Sequence, residues 1–380
     1  MAVGETQKLE TQEKNARIRA FMERNGLHAL VLGRQNNFAW ATGGGVNWVN
    51  TAAELGAATL VYTASGKTYA LTQNIEIPRF EQEEGLKELG FEVVSHNWWE
   101  GNSAKHAILQ DLLGGEGVKV GTDFPLEGSE NLAPLLARER WSLTSHEVQR
   151  FRELGRQASE ALEIATAEVK PGMSEWEIAG RLAQECFSRS LLAPVTLVAT
   201  DERIWQYRHP VPTSKKLEKY VMLVVCARSG GLVASCTRLA HFGTLTAELA
   251  KRHAAVQRID AVFNLATRPG VAIGEVFKQG LAQYAREGFS DEWQLHHQGG
   301  ATGYEARDYV GTFNSSETAL DWQAFAWNPS ITGTKSEDTI LVSSEKGMEI
   351  LTQSSASKWP STNVEIEGLG TMRRPDILVL

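Results

Sequence analysis

Two phrases in this chain repeat one another. Val169-Lys170-Pro171-Gly172-Met173-Ser174-Glu175 and Ala266-Thr267-Arg268-Pro269-Gly270-Val271-Ala272-Ile273-Gly274-Glu275 share a basic residue, Pro-Gly, an apolar residue and a following Glu. Each stands between two helical patterns, at 145–169 and 174–188 and again at 244–266 and 273–287. One kind of break, used twice between helices, is what an internal duplication leaves behind. It commits the second part of the chain to a pseudo-two-fold α/β arrangement, with each helix pair followed by strands. Strand patterns fall at 195–198, 220–225 and 231–237 after the first pair, and at 324–327, 338–342 and 347–351 after the second. Ser174 and Glu177 form a capping box at one of the helix starts.

The earlier part alternates differently. A helix pattern at 6–25 leads into strands at 29–32, 58–62, 68–71, 91–94 and 119–123, with helices at 77–88 and 104–113. The glycine-rich stretch 36–45 reads as a tight loop. This pattern predicts an α/β domain with a mixed sheet. The chain's 380 residues exceed the usual size of one core, so two domains are expected, 1–142 and 143–380, with a linker near 141–145.

Composition excludes several roles. A net charge of −8 with no Lys/Arg run argues against nucleic acid as a partner. No apolar run has membrane-spanning length, and residues 1–20 are too polar for a signal peptide or anchor. Three cysteines, Cys186, Cys226 and Cys236, without CxxC spacing point to reduced thiols and a cytoplasmic protein. A small-molecule substrate is the partner these bounds leave.

Chemistry concentrates between Leu295 and Asp308. That stretch carries His296, His297, Gly299, Gly300, Gly303, Tyr304, Glu305, Arg307 and Asp308. Imidazoles bind metal or move protons, a guanidinium grips carboxylates, and glycines let backbone approach a ligand.

Together with Asn37-Phe38-Ala39-Trp40-Ala41-Thr42-Gly43, His209-Pro210-Val211-Pro212, Ser235-Cys236-Thr237-Arg238, Asn328-Pro329 and Lys335-Ser336-Glu337-Asp338-Thr339, this stretch resembles the pita-bread superfamily. That superfamily includes methionine aminopeptidase, Xaa-Pro aminopeptidase, prolidase and creatinase. The resemblance implies a creatinase/prolidase-type amino-terminal domain and a catalytic pita-bread domain. For metallopeptidases it implies two metal ions held by two Asp, one His and two Glu. Matched by motif, those positions are Val224, Ser235, His296 or His297, Asn328 and Glu337. Valine has no donor atom, serine and asparagine are neutral, and one carboxylate cannot offset the desolvation of two divalent ions. No metal or other cofactor is therefore expected. A residual mononuclear site on Cys236, a turn histidine and Glu337 would need Cys236 to face the same side of its strand as Ser235.

The creatinase branch also lacks metal, and that resemblance implies His209 as general base and acid for splitting a C–N bond. It implies Glu337 as the acid facing a polar substrate group, and Arg307, eleven residues after His296, as the carboxylate anchor. Thr237 stands where creatinase has a second carboxylate, so creatine itself is poorly matched. The expected reading is a metal-independent, creatinase-like hydrolase of an amide-type or amidine-type C–N bond in a small carboxylate-bearing substrate. Its catalytic residues would be His209, Glu337 and His296. Arg307, His297, Tyr304, Asn328 and Thr237 would contact substrate. A homodimer is implied, in which the loop 36–48 of one subunit, with Trp40 and with Arg34 as a second anchor, covers the other's site. The alternatives are an inactive pita-bread domain that binds a peptide or small carboxylate, and a metal-dependent Xaa-Pro aminopeptidase or dipeptidase.

Overall fold

The short apolar runs of the first part pair into one six-stranded sheet. The computed structural model describes residues 3–114, 117–354 and 356–380, and the chain divides into two units, Met1–Glu147 and Val148–Leu380. The division falls five residues beyond the expected 142, inside the first turn of a helix.

In the first unit the elements are α1 (Glu5–Arg24), β1 (Ala29–Arg34), α2 (Gln35–Ala41), β2 (Leu55–Thr63), β3 (Thr68–Gln73), α3 (Ile77–Gln82), β4 (Glu92–His96), α4 (Gly101–Leu113), β5 (Val120–Thr122), β6 (Glu130–Asn131) and α5 (Ala133–Arg138). The strand order is β4-β3-β2-β1-β5-β6. β1 is antiparallel to β2 and parallel to β5, so the sheet is mixed. Of residues 36–45, which the glycines suggest as a loop, only 42–45 turn; 36–41 are helical. Phe38, Ala39, Trp40 and Ala41 are all buried, and that burial holds them as helix α2. Gly43, at φ +67°, lies just past the helix end, the conformation in which glycine terminates helices.

The second unit opens with α6 (Ser145–Ala167), α7 (Glu175–Phe187), β7 (Leu192–Thr200), α8 (Glu202–Gln206), β8 (Tyr220–Ser229) and β9 (Leu232–His241). Its second half holds α9 (Ala247–Ala266), α10 (Ile273–Arg286), β10 (Gly299–Thr302), β11 (Tyr309–Val310), β12 (Gln323–Trp327), the short pair β13 (Ser330–Ile331) and β14 (Thr334–Lys335), β15 (Asp338–Ser343) and β16 (Gly347–Ile350). β17 (Ser361–Ile366), β18 (Gly370–Pro375) and β19 (Leu378–Val379) end the chain. The repeated Pro-Gly phrases do the same work in both halves. Gly172 and Gly270 sit at φ +91° and +86°, where a side chain is strained. Gly172 donates its N–H to the carbonyl of Leu217, and Gly270 to that of Ala319, each at 2.8 Å. Glu175 then bonds back to Lys215, as Ile273 does to Glu317. Each helix pair is thus clasped to a later segment of its own half, as a duplicated unit requires.

Two sheets result, β19-β9-β8-β7 and β11-β10-β12-β15-β16. They meet where β9 runs beside the start of β15. Thr237 N–H donates to the Glu337 carbonyl at 3.1 Å, and Ser235 N–H to Thr339 Oγ1 at 2.8 Å. Behind this seam lies a buried ionic network. Asp338 takes Arg238 at 3.1 Å and Arg374 at 2.9 Å, and Arg374 also pairs with Asp260. Burial pushes the Asp260 carboxyl up to about 6 against the pull of Arg374. Removing one member of such a network leaves bare buried charge. Arg374→Met should therefore cost about 3–5 kcal/mol, read as a lower urea midpoint with unchanged slope.

Candidate active site

Three imidazoles converge beside the β9–β15 seam. His209 lies on the segment after α8, and two ties bring it there. Pro210 accepts from Val198 N–H of β7 at 3.2 Å. Arg208 pairs at 2.8 Å with Glu292, in the short 3-10 turn that precedes His296. His296 and His297 are held from the other side. Buried Gln298 accepts from the Tyr284 hydroxyl of α10 at 2.7 Å and donates to the Trp293 carbonyl at 3.0 Å. The neighbouring glycines serve strand packing: a Cβ on Gly299 or Gly300 would lie 2.1 or 2.2 Å from a carbonyl oxygen of β12 or β11. They let backbone approach backbone, where the sequence suggested approach to a ligand.

The resulting geometry is tight. His209 Nε2 and His296 Nε2 are 3.0 Å apart, and the His296 and His297 rings stack at 4.4 Å between centroids. His296 is buried with Nδ1 unpartnered among the described residues, whereas His209 and His297 are open to solvent. An orphaned acceptor is less costly than an orphaned N–H. That assigns the shared proton to His296 Nε2 and the accepting lone pair to His209. Burial and the nearby Lys335 ammonium push all three rings toward neutrality. His209 is lowered by burial, then by Lys335 and Arg307, against Glu337. His297 is lowered to about 4 by burial and by Arg307 and Lys335, and buried His296 well below the usual imidazole range by burial and Lys335.

Beside the rings sits a single carboxylate between two cations. Glu337 Oε1 takes Arg307 at 3.0 Å, and Oε2 takes Lys335 at 2.9 Å and the Thr237 hydroxyl at 2.7 Å. Burial alone would raise this acid, but Lys335, Arg307 and Thr237 outweigh it and hold the carboxyl near 2. Lys335 is itself only 5% exposed. Its role escaped the sequence reading, although Lys335 and Glu337 are two residues apart, the spacing that puts extended side chains on one face. Cys226, hidden in the apolar run of β8, also faces this side. Its thiol accepts from Ser235 Oγ at 3.2 Å, and burial raises its pKa.

The other expected contacts resolve as follows. Asn328 is buried, with its amide oxygen unpartnered among the described residues. Arg307 pairs with Glu337, and its Nε is likewise without a partner. Tyr304 is not at the imidazoles. Its hydroxyl accepts from Arg150 at 3.0 Å, and Arg150 also holds the Gly230 carbonyl in the β8–β9 turn, so the phenol braces that turn. Trp40 is wholly enclosed in the first unit, where no ligand can touch it. Arg34 pairs with Glu54 at 3.0 Å and donates to the Asp123 carbonyl at 2.7 Å, so its cation already has an anion. Cys236 packs on the far side of β9, with Arg238 and Asp338 among the charges acting on it, which removes it from any site on the Ser235 side.

The five positions that hold metal in pita-bread peptidases do not fit two divalent ions here. Val224 belongs to an apolar cluster with Tyr220, Met222 and Leu239. The Ser235 hydroxyl donates to a neutral thiol, and both Glu337 oxygens are occupied by cations. The three imidazoles do bring one ligand atom each to within 4.8 Å of one another, the spacing of a single-ion site. Against an ion there, His297 Nδ1 accepts from Gly299 N–H at 3.2 Å, and Lys335 and Arg307 both act on the ring as like charges.

Comparisons with known proteins agree with this architecture. The profile of metallopeptidase family M24 matches residues 149–344. An uncharacterized peptidase of Staphylococcus haemolyticus is 26% identical over 216 residues, 54% of this chain. That match spans only 61% of the relative's own length. The Xaa-Pro dipeptidase from Bacillus anthracis superposes with a TM-score of 0.74 at 19% identity, covering 97% of this chain and 100% of that one. Recombinant prolidase from Thermococcus sibiricus gives 0.78 at 16% identity, covering 97% and 99%. The N-terminal domain of FACT complex subunit SPT16 from Cicer arietinum gives 0.68 at 11% identity, covering 92% and 96%. At these identities the structural likenesses are of fold. No helix among the described residues is long and apolar enough to cross a membrane.

The charges predict how stability responds to acid. His296 and His297 have folded pKa values below the ordinary 6.5, so the unfolded chain binds more protons just below that pH. Stability is then lost as pH falls from 6.5 toward 4, with buried His296 contributing more than the more open His297. Glu337 adds a second loss as pH falls from 4.5 toward 2. The urea midpoint should drop between pH 7 and pH 5, and His296→Leu should make that drop smaller.

Proposed function

The chain belongs to metallopeptidase family M24, and on that footing we propose that it is a hydrolase of an amide-type C–N bond in a small carboxylate-bearing substrate, acting without the family's pair of metal ions. The observation that carries this reading is the replacement of metal charge by side-chain charge: Lys335 and Arg307 flank the surviving Glu337 beside neutral imidazoles. Arg307, with its Nε–H uncommitted, anchors the substrate carboxylate. His209 is the solvent-accessible ring whose Nε2 lone pair accepts from His296. A water or substrate that takes the place of His296 at that nitrogen meets a base. His209 removes the proton as water adds to the carbonyl carbon, and returns it to the leaving nitrogen as the C–N bond breaks. Until water or substrate displaces it, His296 keeps His209 turned inward, and the Asn328 amide N–H orients the substrate carbonyl.

A second reading, a metal-dependent Xaa-Pro dipeptidase, draws on the names of the structural neighbours and on the three-imidazole spacing. It requires at least one ion to bind beside two cations. The two readings separate cleanly. Purified without chelator, the protein should hold no stoichiometric zinc, manganese or cobalt, and chelator should leave turnover of a panel of carboxylated amides and amidines unchanged. His209→Ala should lower kcat on the active member by about 10²–10⁴. Stoichiometric metal with chelator-sensitive turnover would establish the second reading instead. A panel without turnover would reject both.

A further inference from the structure

Charge pairing at the site leaves an imbalance. Glu337 carries one negative charge against Lys335 and Arg307, and the three side chains are 2%, 5% and 14% exposed. Both Glu337 oxygens are already claimed, Oε1 by Arg307 and Oε2 by Lys335 and Thr237. Glu292, the acid paired with Arg208 next to His209, is also committed. Its Oε2 accepts from Arg208 and from both the N–H and the hydroxyl of Thr332, and its Oε1 lies 3.6 Å from Arg252. Donors, by contrast, are left over. Arg307 Nε–H has no partner among the described residues, and an ammonium such as that of Lys335 has three N–H bonds to give. A ligand oxyanion therefore finds two cations to complete, whereas a ligand ammonium finds both Glu337 and Glu292 already claimed. A buried charge without a counter-charge is strongly disfavoured.

We infer that the site selects a monoanionic substrate whose nitrogen end is uncharged, an N-acylated amino acid, over a free dipeptide with its terminal ammonium. The inference rests on the amide-hydrolase reading and narrows it. Lys335 takes one oxygen of the ligand, so it is a specificity-determining residue alongside Arg307.

N-acetyl-L-proline and glycyl-L-proline test this directly. They share the prolyl carboxylate and the amide C–N bond, and differ by an ammonium on the carbon next to the amide carbonyl. Calorimetry near pH 7 should show N-acetyl-L-proline binding at least about tenfold tighter. Lys335→Met should weaken N-acetyl-L-proline by about tenfold and shrink the preference, and Lys335→Arg should restore part of it. Glycyl-L-proline binding as tightly or more tightly, neither compound binding, or an unchanged preference in Lys335→Met would each overturn the inference. The wild-type comparison decides the matter even if a variant fails to fold. Binding is measured apart from turnover. Failure here leaves hydrolysis by His209 standing, and loss of the hydrolase reading leaves the measured preference standing.

Discussion

Glu337 and Asp338 are adjacent at the β9–β15 seam and face opposite ways. Asp338 turns into the core, where Arg238 and Arg374 neutralise it and tie β15 to β9 and β18. Glu337 turns outward to Lys335 and Arg307, with Thr237 of β9 completing its shell. One backbone step thus separates a carboxylate locked in the buried ionic network from one set beside the imidazoles. Because the seam is fixed through Asp338 and the Thr237–Glu337 backbone bond, the outward carboxylate keeps its position whatever occupies the space before it.

The carboxylate is outnumbered there by cations. Pita-bread peptidases concentrate acids there to hold divalent cations. In this chain Val224, Ser235 and Asn328 stand at three of the positions matched by motif, and Lys335 and Arg307 flank Glu337. Neutral imidazoles suit such surroundings, since each proton added would face Lys335 and Arg307.

Much of this was legible in the sequence, for reasons that differ residue by residue. The Pro-Gly phrases announced the duplication because a left-handed backbone demands glycine in both halves. The Ser174–Glu177 capping box formed as read, since its bonds span only three residues. The register that put Ser235 and Thr237 on one face of β9 and Cys236 on the other followed from strand alternation. Tyr304 and Trp40 show where residue type misleads. The partner of Tyr304, Arg150, is 154 positions away, and nothing local signals that bond. Trp40 sits beside glycines that suggest a loop, yet its burial makes the segment a helix. Lys335 entered the sequence analysis only as part of a motif phrase, with no role of its own. It and Glu337 are buried together as an ion pair beside the imidazoles.

The paired clasps at Gly172 and Gly270 are built from backbone N–H and carbonyl groups. Backbone bonds are indifferent to side-chain identity, so these clasps place no demand on the side chains at the centre of the strands. Valine and serine stand there, at Val224 and Ser235, with every clasp bond in place. Such a frame uncouples inheritance of shape from inheritance of chemistry, and a lineage that uses it can change what it holds without first learning to fold again.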